Sequence, residues 1–145
     1  MREIKFRGIP LFGNEFVFGS LIIEKNEKGE DTYTIRRYEN GKVSYFEVKP
    51  ESVGQYTDLK DKNNIEIYEG DKVKDHFGRI MLIQWAKGEK YDRNHFARFE
   101  FKLLSFEKKW TDNFRYAEFN SWYHHDKKYL DVEIIKNKEL LEQEK

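Results

Sequence analysis

The sequence predicts an all-β protein with one minor helix: an antiparallel meander first, then a small barrel of short strands, then a short helical tail. Three observations lead to that class. Apolar and polar residues alternate along most of the 145 residues, the period of a strand with one buried face. Turn signals separate these runs at short intervals, among them Asn40-Gly41, a pair suited to the positive φ that a tight hairpin needs at both central residues. Aromatic residues reach 17%, with 12 Phe, 9 Tyr and 3 Trp, and rings that bury about 150–250 Å² each build a core from few positions.

The first run, Met1 to Arg7, sets Ile4 and Phe6 on one face and Glu3, Lys5 and Arg7 on the other. Gly8, Pro10 and Gly13 interrupt it. Glu15 to Lys25 is rich in strand formers, Asn26 to Asp31 is a polar loop containing Gly29, and Thr32 to Tyr38 and Val43 to Val48 form a hairpin around Asn40-Gly41. Pro50-Glu51-Ser52 is suited to a single helical turn before Val53 to Thr57 extends again. Lys60 to Asn64 is wholly polar, and Ile65 and Ile67 alternate with Glu66 and Tyr68 after it. Beyond the Glu69-Gly70-Asp71 turn, Lys72 to Asp75 and Arg79 to Trp85 flank His76-Phe77-Gly78 as a second hairpin. His95 to Leu104 alternates most cleanly, and Phe106 to Tyr129 is read as short strands and loops. Leu130 to Ile135 is a last strand. Asn137 to Lys145 favours a short helix with little but Leu140 and Leu141 to bury. The expected division is a meander over 1–57, a barrel over 58–135 entered through 55–73, and a tail over 136–145. Closure of the short strands would remove exposed edges.

Composition narrows the chemistry. Basic and acidic residues number 27 each, so no global field draws the chain to nucleic acid or an anionic membrane. With no cysteine, disulfides, thiolate metal sites and cysteine nucleophiles are excluded together. The N-terminus lacks the apolar run of a signal peptide, and no apolar segment approaches the roughly 20 residues that span a bilayer. A soluble cytoplasmic protein without a membrane partner is the expectation.

The stretch Gln55 to Val73 carries a recognisable order of residues. Met1-Arg2-Glu3-Ile4-Lys5-Phe6-Arg7, Val53-Gly54-Gln55-Tyr56-Thr57, Leu59-Lys60-Asp61-Lys62-Asn63 and Glu66-Ile67-Tyr68-Glu69-Gly70-Asp71-Lys72-Val73 together resemble the YopX family of phage and prophage proteins. The chain departs from the family at Asp58, where glycine is usual, at Asn63-Asn64, where Asn-Gly is usual, and at Gly8-Ile9-Pro10, where an aromatic is common. Asn and Asp tolerate left-handed backbone better than other non-glycine residues. The resemblance implies an SH3-like form for the barrel and an origin in a phage or prophage of a Gram-positive host. It implies no activity, and small barrels serve many unrelated functions. Gln55, Tyr56, Thr57, Asp61, Glu69, Gly70 and Asp71 are its structural motif.

Four constellations bear on function. Glu66, Glu69 and Asp71 offer oxygen ligands to a divalent cation, but Glu69 and Asp71 fall in a turn, where Asp71 is better suited to accepting backbone N–H groups. His124-His125-Asp126 contains the one adjacent histidine pair, and strand alternation turns those two rings to opposite faces. No nucleophile elbow, phosphate loop or metalloprotease motif occurs, so neither an enzyme nor a cofactor is expected. Basic and aromatic residues interleave at Lys108, Lys109, Trp110, Arg115, Tyr116, Trp122, His124, His125, Lys127 and Lys128. Residues 49–71 hold three basic and six acidic side chains, whereas 72–135 hold 13 and 10. Such interleaving suits stacking of single-stranded nucleic acid, and it equally suits a core of rings solvated by lysines. An acidic linker beside a basic barrel also permits two copies to dock. The leading expectation is a non-enzymatic accessory module that binds a host or phage protein or another copy of itself. A nucleic-acid-binding module is second, and a metal-dependent enzyme a distant third.

Overall fold

The computed structural model describes residues 3–85, 99–105, 116–117, 123–124 and 129–135. Within them the chain is nearly all β, with one 3-10 turn at Pro50–Ser52 and no α-helix. The helical tail expected over 136–145 lies outside the described residues. Two compact units divide the chain, Met1–Asp58 and Leu59–Lys145.

The first unit is an antiparallel sheet built from β1 (Phe6–Gly8), β2 (Val17–Lys25), β3 (Asp31–Glu39) and β4 (Lys42–Glu47), with the start of β5 (Gly54–Lys60) on the far side of β1. Asn40 and Gly41 take φ of 51° and 76°, as the Asn-Gly signal requires. That two-residue turn sets Tyr38 opposite Val43, Arg36 opposite Tyr45 and Ile35 opposite Phe46. Ile35 and Val48 are fully buried on one face, where Gly8 packs so closely that a Cβ would stand 2.8 Å from Val48 Cγ2. The opening strand is shorter than its alternation suggests. It begins at Phe6, and Ile4 is exposed.

The second unit holds an antiparallel sheet in the order β10 (Tyr116–Ala117), β9 (Phe99–Ser105), β8 (Ile80–Trp85), β7 (Lys72–Asp75), β13 (Val132–Ile134). The end of β5 pairs with β6 (Glu66–Tyr68), and β12 (Tyr129–Leu130) lies parallel to it at Lys60 and antiparallel to β11 (Tyr123–His124). Its core is Ile67, Val73, Met81, Ile83 and Val132, with Leu59, Trp85 and Ile134 packed against them. The closed SH3-like barrel is not seen among the described strands, because the outward edge of β13 meets a turn in place of a strand. Lys62 N–H donates to Val132 O at 3.0 Å, and Ile134 N–H donates to the Asp61 carboxylate at 3.2 Å. A carboxylate thus covers an edge that would otherwise be bare.

One local device closes three hairpins. Asn26, Asp61 and Asp75 each begin a five-residue turn in which their own N–H donates to the carbonyl four residues on. The side-chain Oδ1 of each accepts the N–H groups two and four residues on, at 2.8 to 3.0 Å. The fourth residue is left-handed in every case: Gly29 at 78°, Asn64 at 64° and Gly78 at 81°. This is a short hairpin loop whose left-handed residue forms a bulge, stabilised by a side chain that imitates a backbone acceptor. Asn64 therefore carries strain that glycine avoids, and so does Asp58, at 64° within β5. Replacing either by glycine is expected to stabilise the protein by up to about 1 kcal/mol, the left-handed cost less the entropy of a freer unfolded chain. Urea denaturation of the single and double variants checks this.

Candidate functional site

In the acidic stretch, Glu66 and Asp71 turn their carboxylates to the fold. Asp71 Oδ2 accepts the Tyr68 N–H at 2.8 Å, while its own N–H donates to Tyr68 O. Gly70, at φ 90°, and Asp71 fasten this turn to β8 through Gly70 N–H to Ile83 O and Ile83 N–H to Asp71 O. Glu66 accepts the phenol of the buried Tyr68 at 2.8 Å, so both faces of β6 are covered, where the alternation suggests one. Asp75 is enclosed and pairs with Arg79 Nε at 2.5 Å. Gln55 lies opposite Phe6 in β5, and Tyr56 and Thr57 are buried.

Among the described residues no three His, Asp or Glu side chains stand together as a metal site. His76 Nδ1 lies 3.7 Å from Asp131 Oδ2, both half-exposed, and its ring centroid is 3.9 Å from that of Phe77. Titration with Mg²⁺, Mn²⁺ or Zn²⁺ is expected to leave the melting temperature unchanged, since ligand binding to the native state alone would raise it. A saturable rise would restore the metal reading of Glu66, Glu69 and Asp71.

Of the basic–aromatic region, Tyr116 lies in β10 and His124 in β11. Lys108, Lys109, Trp110, Arg115, Trp122, His125, Lys127 and Lys128 lie outside the described residues. Elsewhere the same pairing of residue types is internal. Arg7 stands 4.1 Å over the Phe16 ring, Lys5 5.0 Å over Tyr56, Arg37 4.9 Å over Phe46 and Arg79 5.0 Å over Phe77. Cations stacked on their own fold's rings act in its stability, and each such pair contributes about 0.5–1 kcal/mol at exposed sites.

The surface that the fold leaves open is on the first unit. Arg36, Tyr38, Val43 and Tyr45 share one face of the β3–β4 hairpin, opposite the buried Ile35. Tyr38 is 68% exposed, Val43 41% and Tyr45 63%. β4 also ends the order of its sheet. Ile9 to Leu11 covers one end of its outer edge: Leu11 N–H donates to Glu47 O at 3.0 Å and Lys49 N–H to Ile9 O at 2.8 Å. Sequence reading did not single out this surface, because β3 and β4 carry apolar residues on both faces. The signal was the Asn-Gly turn, whose register makes Tyr38 and Val43 a pair on the face away from Ile35.

A family model described as YopX protein matches residues 5–142. The chain belongs to the YopX family. The match spans nearly all of this YopX chain. A comparison with curated proteins finds no match. No helix among the described residues is long and apolar enough to cross a membrane.

Proposed function

We propose that this YopX protein is a non-enzymatic accessory protein of a bacteriophage or prophage that acts in the host cytoplasm by binding protein. The observation that carries the reading is the open hairpin face, where Tyr38, Val43 and Tyr45 stand exposed beside an incompletely covered sheet edge. Tyrosine offers a large rigid ring with a polar tip, the residue type enriched where protein surfaces meet. Support for a non-enzymatic role comes from the carboxylates of Asp61, Asp71 and Asp75, each of which accepts backbone N–H groups of its own turn.

A photo-cross-linking residue at position 45, in cells that make the protein, tests the reading. Discrete protein adducts at position 45, absent when the same residue is placed at the buried position 35, are expected. No protein adduct, together with salt-sensitive retention of the wild type on single-stranded DNA, would contradict it and favour the nucleic-acid reading.

A further inference from the structure

We infer that the open stretch of β4 pairs antiparallel with the same stretch of a second copy, about a two-fold axis at Ser44. This rests on the protein-binding reading and names the partner. The direction of the backbone groups comes first. Val48 N–H donates inward to Tyr33 O, and Glu47 O accepts outward from Leu11. Alternation then turns the N–H and C=O of Val43 and Tyr45 outward, where no described strand receives them. Lys42 and Glu47 stand at the ends of β4, and between them Val43, Ser44, Tyr45 and Phe46 include no charge or proline that would discourage edge pairing.

Register follows from what flanks this stretch. Two identical antiparallel strands in one sheet are related by an axis normal to the sheet, so opposed residues lie on the same face. An axis at Tyr45 would lay Val43 of the second copy opposite Glu47, the place Leu11 holds. An axis at Val43 would need strand geometry at Gly41, whose φ is 76°. With the axis at Ser44, Val43 of each copy exchanges backbone hydrogen bonds with Tyr45 of the other. The two Ser44 residues then form the close pair, with Cα atoms about 4.5 Å apart, where a small side chain is suited.

The side chains match in the same register. Tyr45 of one copy meets Val43 of the other beside Tyr38, on the face where all three are exposed. On the opposite face Lys42 meets Phe46, whose ring also carries Arg37, and no like charges stand directly opposite each other across the two strands. Tyr45, exposed by 63%, covers part of the other copy's Val43, exposed by 41%, and the two strand backbones cover each other, so the buried area is below that of a standard specific complex. An interface of that size suits weak association, to be sought from about 10 µM to 1 mM.

Sedimentation across that concentration range, with two variants, tests the pairing. The wild type is expected to pass from monomer to dimer. Tyr45→Pro removes an N–H that points outward, so the fold keeps its bonds to β3 while the dimer is lost. The chain has no cysteine, so Ser44→Cys supplies a single thiol; mild oxidation should cross-link it at least ~10-fold faster than Lys42→Cys, because only position 44 meets its own counterpart within disulfide reach. A wild type monomeric at millimolar concentration, or equal cross-linking of the two cysteine variants, overturns the pairing. If position 45 still captures another protein in cells, the binding reading stands without the self-association; if it captures none, both fall.

Discussion

Replacing Gly19 with alanine will unfold the first unit under conditions where the wild type is stable. A Cβ on Gly19 would overlap the carbonyl oxygen of Arg36 and stand 3.2 Å from Ile35 Cγ2. Backbone that is itself paired to β2 and β4 occupies the contested space, so no rotamer change relieves the clash. Relief requires β2 and β3 to separate around the Ser20–Arg36 pair, next to the buried Ile35. The expected loss is about 3 kcal/mol or more, the upper end for substitutions that force a backbone shift in a packed interior. Gly8→Ala meets a side chain, Val48, and should cost less. Urea denaturation followed by tryptophan-independent far-UV circular dichroism distinguishes the two, and equal stability of Gly19→Ala and wild type would mean that the close approach is not a constraint.

Asp61→Ala is expected to do comparable damage in the second unit by a different route. The side chain is 1% exposed and accepts three backbone N–H groups, from Asn63, Ile65 and Ile134. Alanine leaves all three donors without that acceptor in part-buried positions, at roughly 1–3 kcal/mol for each donor that water does not satisfy. Partial relaxation brings the expected total to about 3–5 kcal/mol. Asp61→Asn retains one acceptor oxygen and should lose roughly half as much, because its amide can replace only one of the two carboxylate oxygens. Asn26 offers the comparison. It builds the same turn in the first unit with its loop hydrogen bonds exposed, so Asn26→Ala should cost no more than about 1 kcal/mol.

These two positions mark what was legible in the chain. The acceptor-x-x-Gly spacing of Asn26–Gly29 and Asp75–Gly78 states its turn locally, and Asn40-Gly41 states both its geometry and its register. The turn expected at Glu69-Gly70-Asp71 is present, with Gly70 at φ 90°. By its local pattern Asp61 reads as one more polar residue in a polar loop, and the resemblance marks it as a motif residue without giving its role, because its third hydrogen bond is to Ile134, far along the chain. The open order of the second sheet was hidden for the same reason: nothing local says that a carboxylate will stand where another strand was expected. Gly19 was legible as a glycine in a strand, but the carbonyl it admits belongs to a neighbouring strand. The exposed hairpin face needed register as well as alternation. Tyr38 and Val43 have unremarkable neighbours in sequence and become a surface only when set opposite each other.

Turns from Asp61 to Arg79 hold the second unit together, and the edge from Lys42 to Glu47 is where we propose that two copies meet. Hydrogen–deuterium exchange at low and high protein concentration tests that division directly. Peptides spanning 42–47 are expected to exchange more slowly at the higher concentration, through the amides of Val43 and Tyr45, while peptides spanning 61–79 exchange alike at both. Concentration-dependent protection over 61–79 with none over 42–47 would contradict it.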